Sequence, residues 1–122
     1  MAEGNRKRVL FVDDEAVNLL CARSLFRRTH EVYTATSAAE ALGILERTPM
    51  DAVVSDQRMP GMTGTELFAK LDSREGLRVI LTGYSADEEI KKALSDGVID
   101  AVLDKPLDPG RLFRALGWEP AR

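Results

Sequence analysis

Short apolar runs recur along this chain, and they do not alternate with polar residues: Val9-Leu10-Phe11-Val12, Ala52-Val53-Val54-Ser55, Val79-Ile80-Leu81 and Ala101-Val102-Leu103. A strand wetted on one face alternates, whereas a strand apolar throughout is covered on both faces, the condition of a parallel sheet between two layers of helices. Segments with helical spacing separate the runs, over residues 15–28, 38–47, 64–72, 86–95 and 109–116. A further strand over residues 30–35, carrying Val32 and Tyr33, brings the strand count to five. Right-handed crossovers then leave an α/β, doubly wound sandwich as the expected fold. Its 122 residues suffice for one domain with a sizeable core and no staples.

Local signals place several helix ends. Asp14 stands ready to cap the first helix and Ser37 the second, which Pro49 follows. Thr63 with Glu66 has capping-box spacing, and the acids Asp87, Glu88 and Glu89 fall in the first turn of the fourth helix, where its dipole favours them. Gly97 suits the end of that helix.

In an open parallel sheet the carboxyl ends of the strands share one edge, and ligands bind in the crevice there. Asp13, Asp14, Asp56, Thr82 and Lys105 each follow or end a strand and so gather on that edge. Taken alone, Asp13-Asp14 reads as a helix cap and Asp56 as a loop acid. Together they form a crowded anionic group. Two carboxylates about 4 Å apart repel by roughly 4 kcal/mol at an effective dielectric of about 20. A fold tolerates that when cations offset it, and hard oxygen ligands suit Mg²⁺, or Mn²⁺ in its place. Lys105 adds the other positive charge, while the Thr82 hydroxyl and the Gly83 amide are groups that can hold a phosphoryl oxygen.

Composition excludes several classes. A net charge of −3 argues against a nucleic-acid surface, and no apolar stretch is long enough to span a membrane. The polar start is unlike a signal peptide. The single Cys21 cannot form an internal disulfide, fits a reducing cytoplasm, and is expected to fill the core. The single His30 is expected at the surface, and Trp118 either covers a core edge or begins a linker.

The chain resembles the receiver domain of bacterial two-component response regulators from about Val9 to Leu116. The matching pieces are Val12-Asp13-Asp14-Glu15, then Ser55-Asp56 with Met59-Pro60-Gly61-Met62-Thr63-Gly64, then Leu81-Thr82-Gly83 and Asp104-Lys105-Pro106, in that order. The resemblance implies a flavodoxin-like sheet of order 2-1-3-4-5, with the domain over residues 8–117. A flexible tail would occupy residues 1–7, and a C-terminal tail or the start of a linker residues 118–122. It implies that Asp56 accepts a phosphoryl group from a histidine kinase or histidine phosphotransfer protein and that a downstream effector or output domain reads the result, in the cytoplasm. Homodimer formation is left open. Asp13, Asp14, Asp56 and the main-chain carbonyl of Arg58 would hold the ion. Gln57, Thr82, Gly83 and Lys105 would bind phosphate, and Pro106 would be a cis-proline. Such a domain is a signalling phosphoacceptor, assisting at most its own phosphorylation and dephosphorylation, and is not an enzyme.

Some positions depart from that pattern. Many receivers carry a rotating aromatic where this chain has Val102, so Tyr84 is the candidate substitute, and Arg58 stands where phosphoryl lifetime is tuned. The first helix is apolar over more than one stripe, and Leu19 and Leu20 are the expected docking residues for a kinase or phosphotransfer helix. Two rivals stand beside this reading. One is a receiver acting independently of phosphorylation. The other is a Mg²⁺-dependent phosphohydrolase of similar fold, which Gln57 and Arg58 disfavour because such enzymes usually place a second acid two residues after the nucleophile. A nucleotide binder of flavodoxin type lacks support, since no Gly-rich phosphate loop follows the first strand.

Overall fold

The computed structural model describes residues 6–72, 76–83 and 87–118. Within them five strands alternate with five helices: β1 (Arg8–Val12), α1 (Ala16–Phe26), β2 (Glu31–Ala35), α2 (Ala38–Arg47), β3 (Ala52–Ser55), α3 (Gly64–Ala69), β4 (Leu77–Thr82), α4 (Glu88–Ser95), β5 (Ala101–Asp104) and α5 (Pro109–Leu116). The strands form one parallel sheet in the order β2-β1-β3-β4-β5.

Neighbouring residues of β1 serve opposite layers. Val9 and Phe11 pack with Leu19, Ala22 and Phe26 of α1 and with Leu112 and Phe113 of α5. Leu10 and Val12 turn the other way, toward Ala38 and Ala41 of α2, Leu67 and Phe68 of α3, and Ile90 of α4. Each buried Leu, Val or Phe contributes about 1.5–3 kcal/mol relative to exposure, so a strand apolar on both faces is anchored from both sides. The unbroken apolar runs have this physical meaning.

Register then sets the sheet edge. Val12 pairs with Ser55, Ser55 with Ile80, and Thr82 with Asp104. Past the last pairs, main-chain bonds continue the alignment: Asp13 N–H donates to Ala35 O, Asp56 N–H to Val12 O at 2.9 Å, and Lys105 N–H to Thr82 O at 2.9 Å. Asp13, Asp56 and Lys105 are thereby held side by side although they lie far apart in sequence.

Several local expectations are met. Ser37 Oγ accepts the Glu40 N–H, Thr63 and Glu66 form the capping box, and Glu88 and Glu89 lie in the first turn of α4, while Asp87 stands one place earlier as its cap and accepts the Glu89 N–H. Others need correction. Asp14 does not cap α1: Glu15 occupies the cap position without a side-chain bond, and Asp13 Oδ1 accepts the Glu15 N–H instead. Helix α3 stops at Ala69, short of residue 72, whereas β5 begins with its apolar run at Ala101 and extends to Asp104. Cys21 is exposed, because it lies off the α1 stripe formed by Leu19, Ala22 and Phe26.

His30 is not a plain surface residue either. Its ring stacks on Phe113 at 5.5 Å and on Trp118 at 5.5 Å, and it meets Phe26 edge-on. Trp118 thus covers a core edge, with Lys7 Nζ 5.4 Å from its ring centroid. Burial first, then the charges of Arg6 and Lys7, lower the His30 pKa below 6.5. The unfolded chain therefore binds the proton first as pH falls, and stability declines from about the free value of 6.5 downward until the folded-state pKa is passed. Thermal midpoints recorded between about pH 7 and about pH 5 should fall in the parent and flatten across that window in His30→Phe.

Gly64 opens α3 directly beneath the sheet edge. A Cβ there would meet the main-chain oxygen of Asp56 and lie 2.7 Å from Ile80 Cδ1. A backbone oxygen cannot swing aside, so Gly64→Ala should cost about 1–3 kcal/mol, read as a lower denaturant midpoint with unchanged slope.

Candidate functional site

The acidic cluster is built from two strand ends. Asp13 is 6% exposed, and its carboxylate is fully engaged. Oδ1 accepts the Glu15 N–H at 2.9 Å, while Oδ2 accepts Asn18 Nδ2 at 3.0 Å and Lys105 Nζ at 3.2 Å. Asp56 is 9% exposed. Its Oδ1 accepts the Gln57 N–H at 2.8 Å and its Oδ2 accepts Lys105 Nζ at 3.1 Å. Asp14 is exposed, yet one carboxylate oxygen from each of Asp13, Asp14 and Asp56 lies within 4.8 Å of the others.

Lys105 is the cation of this group. Partial burial works against its charge, but hydrogen bonds and charge from Asp56 and Asp13 outweigh that and raise its pKa above the ordinary lysine value. It stays an ammonium at neutral pH. The donor set is entirely hard oxygen, clustered at ion-binding distance and only partly offset by one lysine, so these residues fit a divalent cation of the Mg²⁺ kind.

Thr82 is fully buried at the end of β4 and Gly83 is exposed just beyond it. The Lys105–Pro106 bond is cis. Gln57 is buried next to Asp56. Its side chain turns inward to Thr65, so only its main-chain N–H faces the Asp56 carboxylate. The Arg58 guanidinium reaches Asp87 Oδ2 at 3.3 Å. Val102 pairs with Ile80 and packs against the sheet face that carries α2, α3 and α4. Tyr84 lies outside the described residues.

The two expected docking residues separate. Leu19 is a core residue, 7% exposed, because it falls on the inward stripe of α1. Leu20 is 64% exposed and Val17 63%. Between α1 and the segment after β5 runs an apolar cleft of about 270 Å³, lined by Leu19, Leu25, Leu81 and Leu107, with Cys21 beside it. Its inner end reaches Asp13, Asp56 and Lys105. Asn18, which steadies Asp13, escaped the sequence reading. Its position in the first turn of α1, next to the acidic pair, was the available signal.

Residues 9–117 match the response regulator receiver domain family. Among curated proteins, the hydrogenase transcriptional regulatory protein HoxA of Cupriavidus necator is 35% identical over 107 residues, covering 86% of this chain and 22% of that protein. The chain spans about a quarter of the length of the first such relatives. Among solved structures, a CheY-like receiver domain protein from Methanospirillum hungatei superposes with a TM-score of 0.82 at 29% identity, covering 93% of this chain and 92% of that one. The response regulator TrrA of Thermotoga maritima, solved with Mg²⁺-BeF, superposes with a TM-score of 0.76 at 28% identity, covering 91% and 96%. A five-stranded parallel sheet of this order, an aspartate cluster at its carboxyl edge and a family match over nearly the whole chain agree, and the chain belongs to the response regulator receiver domains.

Proposed function

We propose that Asp56 takes a phosphoryl group from the phosphohistidine of a histidine kinase or phosphotransfer protein and that the product switches a downstream effector or output domain. The observation that carries this reading is Lys105 Nζ placed between Asp13 Oδ2 and Asp56 Oδ2 at 3.2 and 3.1 Å. An Asp56 carboxylate oxygen attacks phosphorus, the P–N bond breaks, and its electron pair stays on the imidazole nitrogen, which takes up a proton. The product is an acyl phosphate.

Phosphoryl transfer asks the protein mainly for alignment and charge neutralisation. Lys105 shifts from the carboxylates to a phosphoryl oxygen, and the Thr82 hydroxyl and Gly83 N–H hold the others. The Gln57 N–H fixes the nucleophile, and Asn18 with the Glu15 N–H keeps Asp13 in place. When bound, Mg²⁺ (or Mn²⁺) on Asp13, Asp14, Asp56 and the Arg58 carbonyl would supply the two positive charges that Lys105 leaves unmet. No helix among the described residues is long and apolar enough to cross a membrane, and a cytoplasmic place beside a kinase is part of the proposal.

Mass spectrometry after incubation with Mg²⁺ and acetyl phosphate should show one hydroxylamine-labile phosphate per chain in the parent and none in Asp56→Asn. Steady release of inorganic phosphate without labelled protein would favour a phosphohydrolase instead. The exposed Val17 and Leu20, on the outer side of α1, are the proposed kinase-docking residues, while Leu19 is mostly taken up by the core. Leu20→Lys should therefore slow transfer from the cognate kinase about tenfold or more while leaving acetyl phosphate labelling unchanged.

A further inference from the structure

The two residues that follow Asp56 both lead to the first turn of α4. Gln57 is 1% exposed, and its amide is satisfied by one neighbour: Oε1 accepts the Thr65 N–H at 2.9 Å, and Nε2 donates to Thr65 Oγ1 at 3.0 Å. Thr65 Oγ1 donates onward to Glu89 Oε2 at 2.6 Å, and Thr63 Oγ1 donates to the same oxygen at 3.1 Å. A second bridge lies outside the first. The Arg58 guanidinium donates to Asp87 Oδ2, whose Oδ1 caps α4 by accepting the Glu89 N–H at 2.8 Å.

We infer that these two bridges couple the phosphoacceptor directly to α4, so that α4 reads the state of Asp56 without a rotating aromatic on β5. The inference rests on Asp56 being the phosphoacceptor. Its physical basis is the chemistry of each link. The Gln57 N–H donates to Asp56 Oδ1, the carboxylate that would carry the new anion. A phosphoryl group adds about −1.5 to −2 of charge and strong acceptor oxygens, so this N–H gains a competing partner and the main chain at Gln57 follows it. A buried amide with a lost partner is unfavourable, so the Gln57 side chain carries Thr65, and Thr65 carries Glu89, instead of letting go. Arg58 meets the same anion with a guanidinium that also holds the singly charged Asp87, and the stronger anion draws it away from Asp87.

Both effects act on the same turn of α4. The inner bridge pulls on Glu89, and the outer bridge releases the cap residue. The outer pair is largely solvent-exposed on the Arg58 side and weakened by screening, so the buried line through Thr65 carries the larger share. The alternative route along β5 meets Val102, whose branched, half-buried side chain packs against the core and has no ring to turn. Gln57, Thr65, Asp87 and Glu89 are on this account positioning residues.

The test compares the parent with the double variant Thr65→Val and Asp87→Asn. Valine keeps the shape of threonine without its hydroxyl, and asparagine keeps a capping oxygen without the charge. Each protein is treated with Mg²⁺ and acetyl phosphate, labelling is read by mass, and amide hydrogen exchange is followed across α4. On labelling, exchange in α4 of the parent should change about fivefold or more, whereas the equally labelled variant should change less than about twofold. Restoring the hydroxyl with Thr65→Ser should recover most of the parent response. A labelled variant with the full response, or a labelled parent with a silent α4, overturns the coupling alone. A parent that takes no label overturns the functional reading and the coupling together. Should Thr65→Val fail to fold, Asp87→Asn with Glu89→Ala, at positions outside the core, carries the same comparison.

Discussion

One ammonium held between two buried carboxylates organises this molecule. Lys105 directly follows the last strand, Asp13 the first and Asp56 the third, and none of the three could sit where it does unless the sheet were in register. The arrangement is left deliberately incomplete in charge. With Asp14 beside them, the acids exceed the lysine by two negative charges, the charge of one divalent ion. Repulsion among the acids disfavours that edge of the sheet, and the core beneath it offsets the cost. Apolar side chains on both faces of β1 and β3 supply enough burial to hold an anionic rim in place.

The rim is also braced locally. Main-chain bonds extend the sheet by one residue past its paired ends, and Ser55 Oγ donates to the Asp56 carbonyl at 2.8 Å. Gly64 allows α3 to begin in contact with that same carbonyl. Acceptor geometry is therefore a property of the packing around it and is available before any ligand arrives, as charge stabilisation by preorganised groups requires.

Much of this was legible in the residues themselves. The strand count and the parallel sheet followed from runs such as Val9-Leu10-Phe11-Val12, because an apolar residue at every position admits no wet face. Helices α2 and α5 were read to their ends, since Ser37 marks one start and Pro109 the other. The expected aspartates, threonine and lysine do gather at one edge, because strand ends in such a sheet have nowhere else to go. What sequence could not settle was the phase of α1. Apolar residues there occupy several sides, and only contact with Phe11 and Phe113 decides that Leu19 faces inward and Cys21 outward. Likewise the partner of Gln57 is eight positions away on another element, and His30 finds its stacking rings on α5 and beyond. Pairings of that range leave no local trace.

The split between Leu19 and Leu20 has an evolutionary corollary. Successive residues on a helix point about 100° apart, so adjacent leucines can answer to different pressures. Position 19 is constrained by the fit of the interior, and its tolerated replacements are those of similar volume. Position 20 is largely exposed, so the interior sets no such limit on it. On the proposed docking role of that residue, duplicated copies of such a gene could diverge in the company they keep by changes on one side of a single helix, while the scaffold and its anionic rim pass to each descendant unaltered.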